Sequence, residues 1–161
     1  MEVVYLETSV ISLLAAKPSQ DLITAGNQQT TRDWWRLRRA QFFCVASTEV
    51  MRECSEGDPQ EAVKRRAILT ELTILPFSPE ADRRMKALLA TRILPPKAQA
   101  DAAHLAIAAA AGVDYLLTWN CRHLANAQIL TRLEKAAQHL GWTLPKVCTP
   151  AELMGELFDE T

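Results

Sequence analysis

The sequence predicts an α/β fold: a parallel sheet of about five strands with helices on both faces, three layers in all. Two observations predict it. Short apolar or β-branched runs recur near Val3, Phe42, Thr73, Tyr115 and Lys146. Stretches with helix-start signals or helical spacing fill every interval between them, the alternation that parallel strands need.

The first run, Val3 to Leu6, reads as a buried strand. It ends at Glu7-Thr8-Ser9, where either hydroxyl is suited to cap a helix over Val10 to Ala16, and Pro18 stops that helix. A second helix is predicted over Asp21 to Arg39, with Trp34 and Trp35 near its end. Phe42 to Ala46 forms the second strand, and Ser47 or Thr48 caps the helix carrying Glu49 and Glu53. Asp58-Pro59-Gln60-Glu61 joins an N-cap aspartate to proline at N1 and glutamate at N3, starting a helix to about Leu72. Thr73 to Leu75 is a brief third strand.

Ser78-Pro79 opens a helix whose Ala81, Met85, Leu88 and Leu89 follow helical spacing. Beyond Pro95-Pro96, an alanine-rich helix runs from roughly Ala98 to Ala111 and stops at Gly112. Tyr115 to Thr118 is the fourth strand. Ile129, Leu133, Ala136 and Leu140 mark one face of a helix ending at Gly141. Lys146 to Cys148 is the fifth strand, and Thr149-Pro150-Ala151-Glu152 is a capping box for a last helix.

Composition narrows the function classes. The 161 residues fit one domain, and 48% apolar with 23% charged content argues against wholesale disorder. A net charge of −1 gives no global nucleic-acid signature, so nucleic-acid binding has to rest on local patches. The first residues lack a signal peptide's basic and apolar regions, and the most apolar stretch, Ala102 to Val113, is too short to span a bilayer. Cys44, Cys54, Cys121 and Cys148 lie far apart without a C-x-x-C pair, so structural zinc is not expected. They read as reduced thiols acting as buried small hydrophobes, with a cytoplasmic location. No strand is followed by a glycine-rich phosphate loop, which disfavours a nucleotide-binding enzyme.

In a sheet of this kind the functional cleft opens beyond the carboxyl ends of the strands. Glu7 directly follows the first strand, Asn120 follows the fourth, and Glu49 and Glu53 lie one helical turn apart after the second. Asp101 is the only charged residue between Lys97 and Asp114, apart from any charge on His104. Such acids also occupy first helical turns, where the macrodipole favours them. Carboxylates at the ends of separate elements nonetheless form an oxygen donor set suited to Mg²⁺ or Mn²⁺.

Three segments resemble the PIN-domain family in that family's order. Val4-Tyr5-Leu6-Glu7-Thr8-Ser9 resembles its apolar-apolar-Asp-Thr-Ser opening. Asp101-Ala102-Ala103-His104-Leu105-Ala106 resembles its Asp-Ala-x-His-x-Ala helix, and Leu116-Leu117-Thr118-Trp119-Asn120 resembles its Leu-Val-Thr-x-Asp strand end. The likeness runs from Val3 to about Pro150, and within the family it is nearest to VapC-type toxins. It implies a single PIN-like domain over residues 1–161 and a metal-dependent ribonuclease, the toxin of a toxin–antitoxin pair. It further implies an RNA substrate, an antitoxin partner and a homodimer.

Carried over by position, the resemblance assigns Glu7, Glu53 and Asp101 as Mg²⁺ or Mn²⁺ ligands, with Asn120 as the fourth catalytic position. Glu53 is selected over Glu49 because the family's second acid lies six positions beyond a strand-end serine, here Ser47. Thr8, Ser9 and Thr118 would orient ligands or substrate as neighbouring hydroxyls. Two departures stand out. Glu7 replaces an aspartate with a longer acid, and Asn120 keeps an oxygen but removes a charge. Asp114, at the other end of its strand, is poorly placed to compensate. These departures also admit an inactive PIN-like module that binds RNA or protein.

Of the remaining candidates, His104 reads as a hydrogen-bonded structural residue and His123 as a substrate contact or a solvated side chain. Arg32, Arg36, Arg38 and Arg39 beside Trp34 and Trp35 read as an amphipathic helix whose tryptophans pack inward or on a second subunit. Lys64-Arg65-Arg66 and Arg83-Arg84-Lys86 read as solvated faces.

Overall fold

Strand β1 (Val3–Leu6) carries Val4, Tyr5 and Leu6 with no solvent exposure on either face, as a central parallel strand requires. A computed structural model of the chain, which describes residues 1–155, places it in the middle of the sheet. Around it lie β2 (Phe43–Ser47), β3 (Thr73–Leu75), β4 (Tyr115–Leu117) and β5 (Lys146–Cys148). All neighbours pair in parallel, in the order β3-β2-β1-β4-β5. The chain therefore builds outward from β1 through β2 to β3, then crosses back to β4. The topological switch falls between β1 and β4, whose paired ends are Leu6 and Leu117.

The helices are α1 (Thr8–Ala15), α2 (Leu22–Leu37), α3 (Thr48–Cys54), α4 (Pro59–Leu69), α5 (Pro79–Ala90), α6 (Gln99–Ala110) and α7 (Ala127–Leu140). Helix α1 packs on α2, α3 and α4, while α5 packs on α6 and α7; α3 also reaches α6. The expected three-layer α/β/α architecture is the one observed. In α6 every residue from Ala102 to Ala109 is buried, which explains a helix apolar on all sides. Its alanines let this helix sit close to its neighbours, and Asp101 lies in its first turn, ahead of that apolar run.

Several predicted features differ in detail. Glu7, rather than Thr8 or Ser9, caps α1: Glu7 N–H still bonds to Leu117 of β4, and Thr8 is already helical. Glu7 alone separates strand from helix, and its carboxylate accepts the orphan Ser9 N–H. Helix α2 ends at Leu37 and continues as a 3-10 turn over Arg39–Gln41. Thr149 and Glu152 exchange the expected capping-box bonds, but residues 151–154 form turns. The remainder of that predicted last helix lies outside the described residues. Cys121 is exposed, contrary to the expectation that all four cysteines are buried, and Cys44 is only half-buried.

Trp34 packs inward as expected, stacked with Phe42 at 5.9 Å, and its indole N–H donates to the Leu153 carbonyl. Arg39 lies 3.9 Å over the Trp35 ring. The two basic clusters are surface faces in which Lys64, Arg83, Arg84 and Lys86 pair with acids on their own helices. No helix among the described residues is long and apolar enough to cross a membrane.

Candidate active site

The ends of β1 and β4, the starts of α1 and α6 and the last turn of α3 bring hydrogen-bonded side chains to the switch point. Glu7 is 6% exposed. Its Oε1 accepts from the hydroxyls of Ser9 and Thr118, each at 2.6 Å, and its Oε2 accepts from Ser9 N–H at 2.9 Å. Ser9 Oγ also accepts Trp119 N–H, and Thr118 Oγ1 accepts Asn120 N–H. These two hydroxyls thus lock the β4 exit loop onto the first acid.

Glu53 reaches the site from α3. Its Oε1 accepts the Thr8 hydroxyl at 2.8 Å and pairs with His104 Nε2 at 2.6 Å. His104 is buried, and its Nδ1 lies 2.6 Å from the Tyr5 hydroxyl, which lies 2.6 Å from Ser47 Oγ. Ser47 Oγ accepts Val50 N–H as the cap of α3. With His104 neutral and protonated on Nε2, every hydrogen in this chain has an acceptor. Val50 N–H donates to Ser47, Ser47 to Tyr5, Tyr5 to Nδ1, and Nε2–H to Glu53.

Burial works to raise the Glu53 pKa, but the His104 and Thr8 hydrogen bonds and the His104 charge outweigh it, so the carboxyl sits below its ordinary value. His104 is displaced upward: burial opposes its charge, while the Glu53 bond and the surrounding carboxylates favour it. Burial and the Tyr5 surroundings hold that phenol far above its ordinary value, so it remains a donor.

Asp101 enters from α6. Its Oδ1 accepts Asn120 Nδ2 at 3.0 Å, and its Oδ2 lies 3.1 Å from His123 Nδ1. Burial pushes this carboxyl above its usual value, the Glu7 charge adds to the effect, and His123 works against both. The orientation of the Asn120 amide follows from its surroundings. Its Oδ1 accepts the backbone N–H groups of Arg122 and His123, both at 3.2 Å. Reversing it would set oxygen against the Asp101 oxygen and NH₂ against two N–H groups. Asn120 therefore holds Asp101 in place through its amide N–H, while its oxygen accepts from its own loop.

Glu7, Asp101 and Asn120 thus share one hydrogen-bonded network with Ser9 and Thr118, and Glu53 belongs to a second with Thr8 and His104, the two meeting where Thr8 and Ser9 adjoin in the chain. Glu49 lies outside both, paired with Arg52 on the surface of α3. Asp114 accepts Val3 N–H at the opposite end of the strands. Sequence reasoning left Tyr5 and the hydroxyl of Ser47 out of the site, and it gave His104 a structural role. The spacing of His104 one turn after Asp101 was the available signal; Tyr5 gave none beyond its place in a buried strand.

The donor set suits a hard divalent cation by chemistry. The Oε1 atoms of both glutamates each have two donors. Glu7 Oε2 has one, each Asp101 oxygen has one, and Glu53 Oε2 has none among the described residues. Each acid therefore keeps lone pairs for a ligand. The side chains do not stand as a closed cage: among the described residues, no three His, Cys, Asp or Glu side chains are grouped to hold an ion. Their present orientations are set by Thr8, His104, Asn120 and His123.

No family profile and no curated protein sequence matches the chain. Solved structures do. A chain of the VapBC2 structure from Rickettsia felis, bound to a DNA fragment from its promoter, aligns with a TM-score of 0.62 at 15% identity over 91% of this chain and 98% of that one. A chain of DNA-bound VapBC from Salmonella typhimurium aligns at 0.58 with 12% identity, over 93% and 99%. Mycobacterium tuberculosis VapC20, a sarcin-ricin loop cleaving toxin, aligns at 0.54 with 14% identity, over 74% and 91%. The chain thus has the PIN-like fold found in these toxin structures.

Proposed function

We propose that this chain is a metal-dependent endoribonuclease and the toxin of a toxin–antitoxin pair. One observation carries the reading: carboxylates from three separate elements, each held by its own hydrogen bonds, come to the switch point of a fold it shares with VapC structures. Glu7, Glu53 and Asp101 would hold Mg²⁺ or Mn²⁺, which when bound supplies an acidified water and neutralises phosphate charge. Ser9 and Thr118 fix Glu7, Thr8 and His104 fix Glu53, and Asn120 and His123 fix Asp101. The substrate in this reading is RNA, as cleavage of the sarcin-ricin loop is for VapC20. An antitoxin partner follows from the VapBC neighbours, and a homodimer and cytoplasmic location complete the proposal.

A second reading, a PIN-like module that binds RNA or protein without cutting, is favoured by Asn120, which brings no charge and commits its oxygen to the loop. Calorimetric titration with Mn²⁺ separates the two. The nuclease reading expects saturable binding that Glu53→Gln and Asp101→Asn each weaken roughly tenfold or more. Absence of Mn²⁺ binding by the folded wild type refutes it and leaves the module.

A further inference from the structure

A recess of about 300 Å³ opens beside the carboxylate cluster, between α3, α6 and the junction of β3 with α5. Phe77, Met85 and Ala100 form its apolar side, while Glu49, Arg52 and Gln99 form its polar side. Two of its walls, α3 and α6, are the helices that carry Glu53 and Asp101. Glu49 and Glu53 are four residues apart on α3, about 6 Å along the axis, and Ala100 immediately precedes Asp101 on α6.

The lining is unusual in what it leaves unused. Phe77 is 41% exposed, and no other aromatic ring stacks on it among the described residues. Gln99 is exposed, and its amide has no hydrogen-bond partner among the described residues, so both its donor and acceptor are available. Arg52, by contrast, is already engaged by Glu49 and Glu56. The recess therefore offers little free positive charge for a phosphate. It offers an aromatic face, an adaptable amide and a polarised Glu49–Arg52 wall, the combination that receives an unstacked base. Its volume matches the low end of small-ligand pockets, suited to one planar heterocycle and part of its sugar.

We propose that this recess holds a single splayed nucleobase of RNA next to the cleaved phosphate, with the base stacked on Phe77 and its edge turned to Gln99 and the Glu49–Arg52 pair. The inference rests on the nuclease reading above and deepens it. The substrate class becomes single-stranded or looped RNA, because a base paired within a duplex cannot leave its stack without cost.

The test uses the Asp101→Asn protein, which is expected to leave RNA uncut, in Mg²⁺ buffer. Fluorescence anisotropy measures its binding to a labelled single-stranded oligoribonucleotide of mixed sequence and to the same strand in a duplex. Adding Phe77→Ala is expected to weaken single-strand binding roughly 5- to 100-fold, whereas Phe77→Trp retains it, and Gln99→Ala weakens it by a smaller factor. The duplex should bind more weakly than the strand and respond less to Phe77→Ala. Equal single-strand affinity for Phe77→Ala and its parent, with binding otherwise intact, overturns the base site alone. Failure of the parent to bind either RNA overturns the nuclease reading and the base site together. Because Phe77 and Gln99 are exposed, an unchanged circular dichroism spectrum is expected for all variants.

Discussion

Exchanging Asn120 for aspartate turns a donor facing Asp101 into a second carboxylate at the same place. The Nδ2 that now lies 3.0 Å from Asp101 Oδ1 becomes an oxygen, while the other aspartate oxygen keeps the N–H groups of Arg122 and His123. Two unit charges at that separation repel by roughly 5 kcal/mol at an effective dielectric of about 20. The pair relieves this by sharing a proton. Keeping a carboxyl of ordinary pKa near 4 protonated at pH 7.5 costs about 4 to 5 kcal/mol, and the upward displacement of Asp101 reduces that. The expected loss without divalent metal is therefore about 2 to 4 kcal/mol, or roughly 5 to 15 °C in Tm for a chain of this size. The penalty belongs to an acid whose folded pKa is raised, so it shrinks as pH falls and is nearly gone by about pH 4.5. Thermal unfolding in EDTA at pH 7.5 and 4.5, followed by circular dichroism, measures both ends. In Mn²⁺ the variant should gain more Tm than the wild type, because the cation replaces the shared proton. An Asn120→Asp protein as stable as wild type in EDTA at pH 7.5 would refute the donor role of Asn120.

Tyr5→Phe removes the hydroxyl between His104 and Ser47, leaving His104 Nδ1 without its partner and the Ser47 hydroxyl without an acceptor, for an expected loss of about 1 to 3 kcal/mol. Urea unfolding checks this, and an unchanged midpoint contradicts the relay. Thr31→Val takes away the acceptor of the Trp119 indole N–H at 2.8 Å, for about 1 kcal/mol and a shift in tryptophan emission; unaltered emission and stability would count against that contact. The Glu53–His104 pair also sets a pH window. Glu53, displaced downward, contributes stability present above the ordinary carboxylate range and lost as pH falls through its folded value. His104, displaced upward, contributes stability complete below the ordinary histidine value and lost as pH rises through its raised one. Asp101 opposes Glu53 on the acid side, since its own pKa is raised. His104→Gln should flatten the decline on the alkaline side in urea midpoints taken from pH 5 to 9, and parallel profiles for variant and wild type would contradict the pairing.

Much of the fold was readable because its signals are local. Val3–Leu6 is a run of large or β-branched residues with no charged member, and the strand has those bounds. Gly112 and Gly141 end helices at positive φ values of 68° and 88°, the conformation that punished any other residue choice and so marked the stops. Asp58-Pro59 and Ser78-Pro79 start helices where they were expected. Two of the acids were legible for a related reason: Glu7 follows a strand and Asp101 opens a helix, and strand ends are where a parallel sheet makes its cleft. Glu53, near the end of α3, was picked out only by the resemblance's spacing from Ser47.

What escaped was contact between distant segments. Tyr5 meets Ser47 across 42 residues and His104 across 99, separations at which periodicity carries no information. The capping role of Glu7 was hidden by the two hydroxyls beside it, which are the commoner caps. The direction of the Asn120 amide depends on two backbone N–H groups of the following loop, whose placement only folding determines.

Cleavage of a pool of mixed single-stranded and structured RNA tests the account most directly, with purified wild type and Asp101→Asn compared in Mg²⁺, Mn²⁺ and EDTA. The account predicts that wild type cuts in either metal, that EDTA stops it, and that Asp101→Asn remains folded but does not cut. Cleavage that persists in EDTA or survives the loss of the Asp101 charge would contradict the central claim.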